Sequence, residues 1–128
     1  MLAAAVLRAE DVSFVLVGSA ALWLRGEPVA IGDADAVIEP GDRNARRLRA
    51  ALARMAYRPQ EIPEARSFVR VPLVSVITSY GQVDCLLERG RADWQRLGEA
   101  ATVIAVADVG VLVADAADAW ALRRQFKE

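Results

Sequence analysis

Phe14-Val15-Leu16-Val17-Gly18-Ser19, followed by Asp33-Ala34-Asp35-Ala36-Val37-Ile38, is the stretch that decides the fold. Its first four residues are all apolar and mostly β-branched or aromatic, the pattern of a short strand buried on both faces. Gly18-Ser19 then turns the chain into a helix over about 20–25, with Ser19 as its cap and Gly26 and Pro28 as its stop. In the second half, Asp35, Val37 and Glu39 alternate with Ala34, Ala36 and Ile38 until the Pro40-Gly41 turn, which predicts a second strand. Strand, helix and strand in so short a span form one compact unit with its loops at one end.

Working outward, residues 2–11 read as an alanine-rich helix with Leu2, Val6 and Ala9 on one face. The spacing of Ala45, Leu48, Leu52 and Met55 predicts a helix over 42–56, with Asp42 near its N-terminal cap. Arg43, Arg46, Arg47, Arg49 and Arg54 fall mostly on its other side and read as a solvated face, with a phosphate or RNA contact as the alternative. Residues 57–67 read as a loop or frayed edge strand, and 68–71, 73–79 and 82–87 as strands, the last two joined by a tight Tyr80-Gly81 turn. A helix near 93–100, strands at 102–106 and 109–113 turning at Ala107-Asp108, and a helix capped by Asp115 and running through Phe126 complete the order. The expected class is α/β, more closely α+β: a mixed sheet flanked by helices, forming a single domain over 1–128.

Composition prunes the chemistry. Of 128 residues, 55% are hydrophobic and 26% charged, which excludes intrinsic disorder and low-complexity classes. Acidic and basic residues number 17 and 16, a net charge of -1 without the basic excess of a dedicated nucleic-acid-binding protein, so there is no strong nucleic-acid signal. Histidine is absent, which removes imidazole zinc sites, Ser-His-Asp triads and Cys-His dyads. Cys85 is the only cysteine, so no intramolecular disulfide forms and a reducing cytoplasm is the expected setting. The apolar N-terminus is broken by Arg8, Glu10 and Asp11 and reads as no signal peptide, and no uncharged run reaches the roughly 18 to 20 residues of a membrane span. Chemistry is left to carboxylates, arginines and backbone groups.

Three stretches supply them. Asp33 and Asp35 are two apart and project to one face at the start of the second strand, where mutual repulsion is best relieved by a hard divalent cation, magnesium or manganese, or else by shared protonation. Asp84 sits within the apolar run Val83-Asp84-Cys85-Leu86-Leu87, where an ionised carboxylate is costly unless paired or liganding a metal. Gly18 lets backbone approach a ligand, and Ser19 adds a hydroxyl. The plain alternatives are a solvent-exposed strand start for the acid pair, a water-facing edge position for Asp84 and an ordinary helix-capping turn for Gly18-Ser19. Trp23, Trp94 and Trp120 read as core, and Cys85 as a small buried hydrophobe.

Gly18-Ser19, thirteen intervening residues, Asp33-Ala34-Asp35-Ala36-Val37, and Asp84 in Gln82-Val83-Asp84-Cys85-Leu86 together resemble the nucleotidyltransferase superfamily related to DNA polymerase β, in particular its small bacterial members. The resemblance spans about 13–88. It implies that Gly18 and Ser19 hold a nucleoside triphosphate, that Asp33 and Asp35 ligate two magnesium ions, and that Asp84 completes one metal site and activates the acceptor hydroxyl. Val29 and Ile31 stand where many relatives carry an arginine and a threonine. With no helical domain after the last helix of this sequence, an acceptor site is expected to draw on a second copy or a partner protein. Two further readings accompany the enzyme: a non-catalytic interaction module of the antitoxin-like or degenerate kind, and a plain divalent-cation-binding protein.

Overall fold

A computed structural model describes residues 1–87 and 91–127 of the chain. Helix α1 (Leu2–Ala9) leads into β1 (Phe14–Val17), α2 (Gly18–Leu24), β2 (Ala34–Ile38) and α3 (Asp42–Met55). Two 3-10 segments, Pro59–Glu61 and Ala65–Arg70, precede β3 (Leu73–Thr78) and β4 (Gly81–Leu86). The chain continues through α4 (Arg91–Ala100), β5 (Thr102–Val106), β6 (Val109–Val113) and α5 (Ala116–Lys127). The six strands form one sheet in the order β3-β4-β2-β1-β6-β5. It is mixed: β1/β2, β3/β4 and β5/β6 run antiparallel, β2/β4 and β1/β6 parallel. The expected α+β class holds.

The central strands are apolar because both their faces are covered. All four residues of β1 are buried, and α2 packs on β1, β2 and α5. Helix α3 packs on α1, both 3-10 segments and β3. Leu48, Ala51, Leu52 and Met55 form its buried stripe at the expected helical spacing. Leu48, Leu52 and Met55 each contribute roughly 1.5–3 kcal/mol by leaving water. At the edge the pattern changes: β3 alternates, with Leu73, Ser75 and Ile77 outward and Val74, Val76 and Thr78 inward. One face of the sheet is therefore open beside β3 and β4.

Several local expectations are corrected. Phe68–Val71 is not a strand, because the 3-10 segment Ala65–Arg70 includes Phe68. Three residues per turn carry Ala65, Phe68 and Val71 inward while Arg66, Val69 and Arg70 face water, a period that strand geometry cannot supply. The 57–67 stretch is held by Tyr57 N–H donating to Ile77 O (3.2 Å) and by Arg49 Nε donating to Pro63 O (2.9 Å), so one arginine of the α3 face is structural. Asp42 does stand next to the cap as expected: it is the first residue of α3, Gly41 holds the cap position, and no side-chain cap bond forms. Trp23 is not core: it stands on the outer side of α2, 49% exposed. Asp115 caps α5 as expected, its Oδ1 accepting from Asp118 N–H at 2.8 Å. No helix among the described residues is long and apolar enough to cross a membrane.

Candidate active site

The site is built by register. In the parallel β2/β4 pair, Asp35 lies directly across from Asp84, so both side chains leave the sheet on the same face. Across the β3/β4 hairpin Asp84 faces Ser75, and across β1/β2 Asp35 faces Val17. Ser75, Asp84, Asp35 and the Val17-Gly18 step thus form a row across four strands spaced about 4.8 Å apart. Asp84 is an interior-strand residue, second from the sheet edge, not an edge position.

Each acid has its own support. Asp84 Oδ1 accepts from Ser75 Oγ at 2.6 Å and from Gln82 Nε2 at 3.0 Å. Both donors converge on one oxygen, which leaves Oδ2 for other partners. Asp35 is pressed against the Gly18 backbone. A Cβ at position 18 would collide with Asp35 Oδ2 and lie 3.3 Å from its Cβ, and Gly18 has φ +67°, so glycine is required there both by conformation and by space.

Ser19 does not cap α2. The helix already begins at Gly18, with Val17 at the cap position, and the buried Ser19 Oγ instead accepts from Gly32 N–H at 3.0 Å. That bond ties the start of α2 to the bend carrying Asp33, which lies just before β2 and is half-buried. The loop is thereby anchored between the glycine step and the acid pair. Among the described residues no three histidine, cysteine or acidic side chains cluster closely enough to hold a metal ion. Asp33, Asp35 and Asp84 therefore form an abreast pair with a third acid nearby, not a closed cage.

No protein-family model and no curated protein sequence matches this chain. A solved structure does: that of a "putative nucleotidyltransferase" from Thermotoga maritima, at a TM-score of 0.67, covering 98% of this chain and 81% of that one with 14% sequence identity. The fold is nucleotidyltransferase-like. Shared backbone at so low an identity establishes the architecture and leaves the chemistry to the side chains of this chain.

Two residues that support the row escaped the sequence reading. Ser75 and Gln82 hold Asp84, and the signal for Gln82 was present, since residues two apart on a strand share a face. Ser75 was concealed by the turn. The loop is Ser79-Tyr80, with Thr78 facing Gly81, whereas a two-residue loop at Tyr80-Gly81 would put Ile77 opposite Asp84. Thr78 Oγ1 holds the observed turn, accepting from Tyr80 N–H at 3.0 Å and donating to Gly81 O at 2.7 Å.

Within this nucleotidyltransferase-like sheet, Cys85 follows Asp84 but points to the opposite, buried face. Burial, and then the charges of Asp84 and Asp35, push its thiol up to about 12 from an ordinary 9.0. It is a core residue and no nucleophile at neutral pH. The raised value makes stability fall with pH: above the unfolded thiol's pKa the unfolded chain loses a proton that the folded one keeps. At pH 10.5 this linkage removes about 2 kcal/mol relative to pH 8, a loss that Cys85→Ala abolishes. Urea midpoints of the two proteins at both pH values check it, and parallel loss in the alanine variant would assign the effect elsewhere.

Proposed function

We propose that the chain is a metal-dependent nucleotidyltransferase that moves a nucleoside monophosphate from a nucleoside triphosphate to an acceptor hydroxyl. The observation that carries this reading is the pairing of Asp35 with Asp84 on adjacent parallel strands, with the Gly18 backbone closed against Asp35. The nucleotidyltransferase-like fold supports it. The donor set suits magnesium, a hard cation commonly bound by one or two carboxylates plus water and substrate phosphate oxygens, without an all-protein cage. When bound, the metal supplies charge neutralisation at the phosphate oxygens and at the attacking and departing oxygens.

The chain's own residues do the rest. Asp35 and Asp84 would hold the metal, and Asp33, which does not cluster closely enough to complete a three-ligand set, stands on the bend just before β2. Ser75 and Gln82 hold Asp84 Oδ1 and leave Oδ2 for the metal. Ser19, through Gly32, fixes the bend, and Gly18 keeps side-chain bulk away from the acid pair. Asp84, the acid that the resemblance assigns to the acceptor hydroxyl, would take its proton. No histidine is needed.

With two carboxylates abreast and no closed cage, magnesium and nucleotide should bind together. Calorimetric titration tests this: magnesium alone binds only in the millimolar range, and ATP binding tightens at least about tenfold when magnesium is present. If none of the four common nucleoside triphosphates binds in the presence of magnesium, the enzyme reading falls. A second reading, a non-catalytic interaction module, draws on the absence of a closed three-ligand cluster among the described residues and on Val29 and the exposed Ile31 beside the site. It is favoured if a partner protein binds equally well after substitution of Asp35.

A further inference from the structure

The row of strands has two ends, and they differ. At one end Gly18 borders Asp35, with Ser19 next in the chain; at the other, Ser75 borders Asp84 and opens into a cleft of about 450 Å³ along the outer edge of β3. Four consecutive residues, Val74 to Ile77, form one wall, and Tyr57, Ile62 and Pro63 from the 3-10 region form the other. The volume lies in the range of small-molecule sites. The lining is mainly apolar: Tyr57 is 70% and Ile77 56% exposed, a surface that an aromatic or aliphatic body would cover. Its two charged residues, Arg58 and Glu61, face each other at 3.3 Å and cancel.

From this we infer that the β3 cleft is the acceptor site, and that the acceptor is a small, uncharged hydroxyl compound with an apolar or aromatic body. The inference rests on the nucleotidyl-transfer reading. In-line displacement sets the attacking and leaving oxygens on opposite sides of the reacting phosphorus. With the triphosphate tail toward Gly18 and Ser19, the hydroxyl must arrive past Asp84, from the β3 side. The acceptor oxygen then bonds to the α-phosphorus, the bond from that phosphorus to the bridging oxygen breaks, and pyrophosphate leaves with the electron pair. The hydroxyl proton passes to Asp84 and on to water. Among the described residues lining this cleft a polyanionic acceptor finds no unpaired cation, so an RNA terminus is disfavoured.

The test combines binding and turnover. Tyrosol, a neutral aromatic alcohol, is titrated into the full chain and followed by amide NMR shifts, with an oligoadenylate of twelve nucleotides as the polyanionic comparison. Shifts confined to Ser75, Val76, Ile77 and Tyr57 on tyrosol addition, and none there with the oligonucleotide, support the cleft. With ATP and magnesium present, tyrosol is expected to raise pyrophosphate release at least fivefold, and Ile77→Arg to raise the tyrosol KM at least tenfold. Failure of tyrosol to shift those amides, or preferential binding of the oligonucleotide there, overturns the neutral-acceptor inference while ATP binding with magnesium leaves the nucleotidyl-transfer reading standing. Tyrosol shifts without any ATP binding overturn the acceptor role together with that reading.

Discussion

Asp35→Asn and Asp84→Asn each lower magnesium-dependent nucleotidyl transfer by about 10³-fold, close to 4 kcal/mol in the barrier. The size follows from what is removed under the proposed reaction: half of an anionic pair that would face a polyphosphate whose charge must be neutralised as pyrophosphate departs. Stability moves the other way for Asp84→Asn. The amide oxygen still accepts from Ser75 and Gln82, as Oδ1 does at 2.6 and 3.0 Å, while the like-charge opposition to Asp35 is gone. Like charges directly opposed on neighbouring strands are destabilising, so this variant melts at the parent's temperature or slightly above it. Activity lost without stability lost marks a side chain kept for chemistry. Radiolabelled ATP turnover and thermal melts check both halves. Asparagine variants that turn over like the parent would remove Asp35 and Asp84 from the reaction.

Gly18→Ala carries the largest expected structural effect. The position has φ +67°, which costs an L-residue roughly 1–2 kcal/mol, and the new methyl would collide with Asp35 Oδ2. Either the carboxylate swings away or the turn shifts, so about 2–3 kcal/mol is lost in total and nucleotide binding falls with it. Gly26→Ala provides the comparison. Gly26 has φ +84°, and a Cβ added there would meet nothing within 4 Å, so it reports the backbone strain alone. The excess of the first loss over the second measures the contact with Asp35. Equal losses in chemical denaturation would show that the carboxylate yields at no cost.

Much of this architecture is legible in the amino-acid order because its strands are locally explicit. Phe14–Val17, Ala34–Ile38, Thr102–Val106 and Val109–Val113 are short β-prone runs bounded by turn residues, and they form strands where the patterning puts them. Phe68 misleads because an aromatic beside a valine reads as strand, while the prolines on both sides and the α3 surface beneath favour a tighter coil. Trp23 misleads because size suggests burial, although Ala20, Ala21 and Leu22 already fill the inward side of α2. The acid pair is only half legible. Asp35 and Asp84 each stand out, but their adjacency depends on a parallel pairing across the whole of α3, and Ser75 depends on a turn shifted by one residue.

The same parallel pairing has a consequence for how the protein matures. Gly18 meets Asp35 within one continuous strand-helix-strand piece, and Ser75 meets Asp84 within one hairpin, so each half can assemble by short loop closures. Joining them is the slower, non-local event. Refolding should therefore show secondary structure returning before the Asp35–Asp84 pair is assembled and, on the proposed function, before nucleotide is bound, because the newborn chain acquires its charged centre only when the two halves dock.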